Sequence, residues 1–169
     1  MNYSDKVSFQ SLRKQMVERH ITARGVRDEL VLEAMRRVPR ELFLPERLRE
    51  FAYEDAPLPI AEEQTISQPY IVAFMAGALL LKGGERVLEI DAGSGYAAAV
   101  LSEIAGAVYT VERLGPLAER AAILLAELGY HNVHVLHGDG TKGWPKHAPF
   151  DAIVVAAGGR EFRNRLNIS

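Results

Sequence analysis

Glu89-Ile90-Asp91-Ala92-Gly93-Ser94-Gly95-Tyr96 joins a short apolar run to a segment that reads as a helix. Gly93 and Gly95 permit a tight turn that brings backbone close to a ligand. The helix start beyond them offers free N–H groups. GSGYAA also satisfies the dinucleotide pattern G-x-G-x-x-G/A, so the turn points to a nucleotide-type cofactor and no further. Glu112 ends the next apolar run, where an acid can accept hydrogen bonds from two ribose hydroxyls. A solvated strand-end carboxylate is the bland alternative.

NAD and S-adenosylmethionine both carry such a ribose, and charge helps to separate them. A dinucleotide would place a diphosphate at this turn, beside Glu89 and Asp91. Those carboxylates suit a cationic sulfonium and ammonium better. His137-Gly138-Asp139-Gly140 ends a third apolar run. Asp139 could accept from an adenine amino group, or Asp-Gly could simply make a turn. In Gln64-Thr65-Ile66-Ser67-Gln68-Pro69, bare chemistry favours Ser67 as a helix cap over a catalyst. No G-x-S-x-G elbow surrounds it, so a serine hydrolase has no support. His131, His134 and His137 cannot share one strand face and read as surface or turn residues without a metal motif.

The elements that must position these residues alternate. Apolar runs at 86–90, 108–112, 133–139 and 151–157 read as strands, and 96–105 and 116–128 as helices. This predicts an α/β fold, a Rossmann-like doubly wound parallel sheet with helices on both faces. Before it, Phe9, Leu12 and Met16 make one helical stripe, and Leu30, Val31, Ala34, Met35 and Val38 a second, as an N-terminal helical cap. Residues 53–69 read as loop and Ile71–Leu81 as a helix ended by Gly83-Gly84, with Pro69 in its first turn.

The 169 residues suffice for one domain with a real core, and the net charge of -2 gives no reason to expect nucleic acid or an anionic membrane as partner. With no cysteine, disulfides and thiolate chemistry are excluded. The N-terminus carries no basic-then-apolar signal pattern, and the longest apolar stretch falls short of the ~20 residues a membrane helix needs. A cytoplasmic location is the default expectation.

Taken in order, AYEDAPLPIAEEQTISQPYIVAFM, VLEIDAGSGYAAAVLSEI, VYTVERLGPLAERA and GDGTKGWPKHAPFDAIVV make the chain resemble the bacterial protein-L-isoaspartate O-methyltransferases from Ala52 to Val155. QTISQP is the most diagnostic part. The resemblance implies S-adenosylmethionine-dependent methyl transfer to the free α-carboxylate of L-isoaspartyl residues in damaged proteins, a repair reaction. It implies Ser67 and Thr65 as the catalytic hydroxyls, with Gln64 and Ile66 in the same loop over the cofactor. It places Glu89, Asp91, Gly93, Ser94 and Gly95 at the methionine end, Glu112 at the ribose, and Asp139 and Gly140 at the adenine. A carboxylate acceptor is already ionised near neutral pH. Ser67 is therefore expected to orient and hydrogen-bond, not to act as a nucleophile.

Two departures stand out. Asp91-Ala92 replaces the family's Gly-Thr or similar, so the first glycine of E-x-G-x-G-x-G is missing and weaker cofactor binding is expected. The family also continues past the fourth strand with a helix and further strands, where this chain has AAGGREFRNRLNIS. The expected organisation is one domain: cap and loop over 1–82, Rossmann-like half over 83–157, and a divergent tail over 158–169, with the sheet incomplete on its C-terminal side. Ile153, Val154 and Val155 would then lie on an open edge that invites a homodimer or aggregation. The rival expectations are a cofactor-binding module with poor turnover and, more remotely, an NAD-dependent oxidoreductase.

Overall fold

The computed structural model describes residues 8–156, so the 158–169 tail lies outside the described residues. Helix α1, Phe9–Met16, starts where the Ser8 hydroxyl accepts from the Ser11 N–H at 3.2 Å. A π turn, Val17–Ile21, and a 3₁₀ turn, Thr22–Arg24, carry the chain to Gly25. Asp28 caps α2, Glu29–Arg37, whose last turn holds Arg36 and Arg37 against the negative end of the helix dipole. Met16, Val31, Ala34, Met35 and Val38 are buried as the stripes predict, but Leu30 is exposed and Leu32 is buried instead. The helix packs against α1 on one side and against two later helices on others, so its buried face is wider than one stripe.

Residues 58–66 form a minimal antiparallel hairpin where loop was expected. β1, Leu58–Pro59, pairs with β2, Thr65–Ile66. Its tip holds Glu62 and Glu63, both at positive φ. Helix α3 runs Pro69–Ala78, earlier at both ends than predicted, and Gln68 sits at its N-cap with no side-chain bond. Ser67 is therefore not the cap. Proline's fixed φ starts the helix at Pro69, and Leu80 at φ 53 turns the chain before Gly83.

Among the described residues, the four remaining strands form one parallel sheet in the order β5-β4-β3-β6: β3, Arg86–Ile90; β4, Ala107–Glu112; β5, Val133–His137; β6, Ala152–Val155. Helices α4, Tyr96–Ser102, and α5, Gly115–Glu127, make the first two crossovers. They cover the face that carries Val87 and Val108. The opposite face, with Leu88, Ile90, Tyr109 and Val111, packs on Trp144 and Phe150 from the β5–β6 crossover. That crossover is built on two 3₁₀ turns, Gly140–Lys142 and Pro145–His147, in place of a longer helix. Tyr109 is ringed there by His134 at 4.9 Å and His147 at 4.6 Å between centroids.

The cap is not a separate body, because its buried residues and the α4/α5 face of the sheet form one core. Arg40 pins the two together. It is fully buried, donates from Nε to the Ala52 carbonyl at 2.7 Å and lies 4.9 Å from the centre of the Tyr96 ring. Tyr96 opens α4, so the cap fixes the helix that follows the glycine turn. Among the described residues, no helix is long and apolar enough to cross a membrane.

Chain order runs from β3 outward to β4 and β5, then returns to the other side of β3 for β6. The strand order thus reverses between β3 and β6. In open α/β sheets a ligand crevice forms at such a reversal, outside the carboxyl ends of the strands.

Candidate functional site

A cleft of about 620 Å³ opens at that reversal, within the size range of small-molecule and cofactor sites. Its floor is the turn after β3. Asp91 extends the ladder by one residue, donating its N–H to the Val111 carbonyl at 2.8 Å, and Gly95 N–H closes the turn on Ala92 O at 2.9 Å. Gly95 has φ 91, and a Cβ there would come within 3.2 Å of Leu125 on α5. The conformation therefore favours glycine, and a side chain would also press on Leu125.

Asp91 occupies the left-handed region as well, at φ 71, where a glycine would be unstrained. Its carboxyl is half-buried in the cleft wall and pushed up to about 6, first by burial and then by the charge of Glu112, with Arg113 opposing. Glu112 is 4% exposed. Its Oε2 accepts from Gly93 N–H and its Oε1 from Leu114 N–H, both at 2.9 Å. A carboxylate has about four lone-pair sites, so the clamp still leaves capacity for hydroxyl donors.

On the opposite wall Asp139 Oδ1 accepts from the Thr141 N–H at 2.9 Å and the Thr141 hydroxyl at 2.7 Å. The turn reading of Asp139 therefore holds, and the residue lines the cleft as well. A Cβ on Gly140 would lie 2.5 Å from Ile90 Cγ2, so only glycine lets this turn rest on the end of β3. Gln64, Thr65, Ile66 and Ser67 form the roof, with Ile66 buried and Ser67 half-buried. The Ser67 hydroxyl has no hydrogen-bond partner among the described residues.

Ten of the twelve residues expected at the site line this cleft; Gly95 and Glu89 do not. Gly95 acts from beneath, through packing. Glu89 points to the α4 side of the sheet, at 1% exposure, where its Oε1 accepts from the Thr110 hydroxyl at 2.6 Å and its Oε2 has no partner among the described residues. Burial pushes this carboxyl up to about 8, with Asp91 and Glu112 adding to the rise and the Thr110 bond opposing it. Glu89 lines a separate hollow of about 20 Å³ directly under the cleft.

Arg113, Leu114 and Thr141 line the cleft without having been anticipated. Their signal was positional: each follows closely on an acid at a strand end. Arg113 is the single cation among the described lining residues, against the three acids Asp91, Glu112 and Asp139. That balance suits a cationic ligand and opposes a diphosphate.

Comparison with known proteins bears on this site. A family model described as protein-L-isoaspartate(D-aspartate) O-methyltransferase matches residues 10–167. Two relatives from strains of Rhodopseudomonas palustris, each a protein-L-isoaspartate O-methyltransferase, are 67% identical over 155 residues and 70% identical over 151 residues. These alignments take in 92% and 89% of this chain but 63% and 69% of the relatives, so the chain spans about two thirds of their length. A solved protein-L-isoaspartate O-methyltransferase superposes with a TM-score of 0.77 at 35% identity, over 86% of this chain and 48% of that one. A Plasmodium falciparum structure, proposed to be such an enzyme and holding S-adenosyl-L-homocysteine, gives 0.74 at 25% identity, over 91% and 77%.

Proposed function

This chain belongs to the protein-L-isoaspartate(D-aspartate) O-methyltransferase family, and from that premise we propose that it transfers a methyl group from S-adenosylmethionine to the α-carboxylate of L-isoaspartyl residues in proteins. The observation that carries the proposal is the cleft itself. It gathers the Gln64–Ser67 loop, the Asp91–Ser94 turn, Glu112 and Asp139 at the strand reversal. Its volume and its excess of carboxylates fit a cofactor with a nucleoside end and a cationic sulfur.

S-adenosylmethionine would supply a methyl on a cationic sulfur, which the acceptor carboxylate takes as the carbon–sulfur bond breaks. The chain's own residues bind, orient and exclude water. Glu112 would accept from the ribose hydroxyls with the lone pairs its backbone clamp leaves over. Asp139 and Gly140 would meet the adenine edge. Asp91, Gly93 and Ser94 would hold the methionine end, while Glu89 acts from below. Ser67 and Thr65 stand where hydroxyls could orient the acceptor carboxylate, which needs placement more than acid–base help.

The partners in this reading are isoaspartyl-containing proteins and peptides. A cytoplasmic setting is the default that goes with this reading. A second copy is a further proposed partner, through the exposed Ile153 on the outer edge of β6. The dinucleotide alternative has nothing in its favour beyond the glycine spacing and the acid Glu112.

Methyl transfer from labelled S-adenosylmethionine to an isoaspartyl peptide, with the aspartyl isomer as control, tests the proposal. Label in the isoaspartyl peptide alone is the expected result, and label in neither would reject it. A second reading, a cofactor-binding module without turnover, is favoured by Asp91 at φ 71. Binding in calorimetry without transfer would select it.

A further inference from the structure

The hollow beneath the cleft is lined by Ser67, Glu89, Val72, Met75, Ala76 and further apolar side chains. Ser67, together with Val72, also lines the cleft above, so one residue forms part of the partition between the two spaces. At about 20 Å³ the hollow matches the space one water molecule needs, and an enclosed water is held where two or more polar groups converge. Two are present: Glu89 Oε2, buried without a partner, and the Ser67 hydroxyl. An unpartnered carboxylate oxygen at 1% exposure is costly to leave unsatisfied.

We propose that one internal water molecule joins Glu89 to Ser67, making Glu89 the positioning residue that sets which way the Ser67 hydroxyl points in the cleft. This rests on the methyl-transfer reading only for its kinetic consequence. When Glu89 is protonated, its O–H donates to the water, the water donates to Ser67 Oγ, and the Ser67 hydrogen is left to donate to an acceptor carboxylate. When Glu89 ionises, the water turns to donate to the carboxylate and accepts from Ser67. The serine then presents lone pairs to the acceptor, which repels them. The groups facing Glu89 are Thr110 on β4, the carboxyls of Asp91 and Glu112 at the strand ends, and the hollow's walls from α3, α4 and β6. Among the described residues those walls contribute no titratable group. The sign is therefore set by Glu89 itself, whose proton is held up to about pH 8 first by burial and then by its two acidic neighbours, against the Thr110 bond.

A crystal structure of the chain fine enough to place waters, with kinetics on the same protein, tests this. A water within hydrogen-bond reach of both Glu89 Oε2 and Ser67 is expected; an empty hollow, or a water that reaches only one, overturns the inference. In kinetics, kcat of the parent chain should fall as pH rises through about 8. Glu89→Gln should remove that fall while keeping the water, because its amide can still reach it. Ala76→Val, which fills the hollow from its apolar side, should lower kcat about fivefold with KM for the cofactor unchanged. A descending limb that survives Glu89→Gln would also overturn the inference. A parent chain that binds but methylates nothing would reject the function reading, and the crystallographic result would still decide the water.

Discussion

The carboxylate of Glu112 holds the backbone of Gly93 by a 2.9 Å hydrogen bond, so the acid after β4 clamps the glycine turn after β3. Its other oxygen holds Leu114, which fixes the start of α5 to the same point. One side chain thus shapes the turn, the strand end and the next helix. The ribose role read from the sequence is laid on top of a structural one.

Glu112→Ala should therefore fail in two ways. Losing two ribose bonds to a charged acceptor, at roughly 1.5–3 kcal/mol each, should weaken S-adenosylmethionine binding at least tenfold. Releasing Gly93 and Leu114 should also lower the melting temperature without ligand. Calorimetry and thermal melts separate the two effects. Weakened binding with an unchanged melt would leave the clamp without energetic weight.

Asp91→Gly is expected to act in the opposite direction. The residue stands at φ 71, where a side chain costs roughly 1–2 kcal/mol more than glycine. Its carboxylate also faces the cleft, where the cofactor's own carboxylate must fit. The variant should melt higher and bind S-adenosylmethionine more tightly, with the larger gain above pH 6, where Asp91 is ionised. A weaker dissociation constant would identify Asp91 as a ligand for the cofactor's ammonium.

The buried carboxyl of Glu89 should govern how stability depends on pH. Its pKa is about 8 in the fold against an ordinary 4.5, so between those values the folded chain binds more protons than the unfolded one. Stability should therefore be fullest below about 4.5 for this group and decline as pH rises through 8. Glu89→Gln should flatten that decline. Denaturant melts across the window would show it, and parallel slopes for parent and variant would assign the decline elsewhere.

How far the sequence revealed this architecture varied with the range of the interactions involved. β3 falls on 86–90 as expected, because its apolar run lies between the Gly83-Gly84 break and the glycine turn. The cleft residues were legible because strand ends and glycine turns are local signals. Arg40 was not, since nothing near it announces that it will lie over Tyr96 in a later helix. The histidines read as surface residues, and His134 is indeed exposed, but its stacking on Tyr109 depends on where the β5–β6 crossover lands. Glu89 and Glu112 looked alike as acids near the turn. Their place along the strands separates them: Glu89, opposite Thr110, lies one residue short of the end of β3 and faces the interior, while Glu112, on the same face, ends β4 and reaches the cleft.

The pleat decides what β6 offers to a second copy. Among the described residues β6 pairs with β3 alone, so its outer side carries no ladder partner. Of the three residues expected on that edge, Val154 turns inward at 9% exposure and Val155 packs on the Tyr109 face. Ile153, opposite Leu88 on the same face as Val155, remains exposed at 59%. Ile71 and Phe74 on α3 add exposed apolar surface to the molecule, and the hollow between α3 and β6 places that helix beside the strand. An exposed strand edge with an apolar side chain is a template for pairing. Sedimentation velocity should therefore show self-association that grows with concentration. Ile153→Lys should suppress it, since a charge on an edge strand disfavours pairing, while leaving the melting temperature nearly unchanged at so exposed a position. A parent chain that stays monomeric at every concentration would remove the second copy from the list of partners.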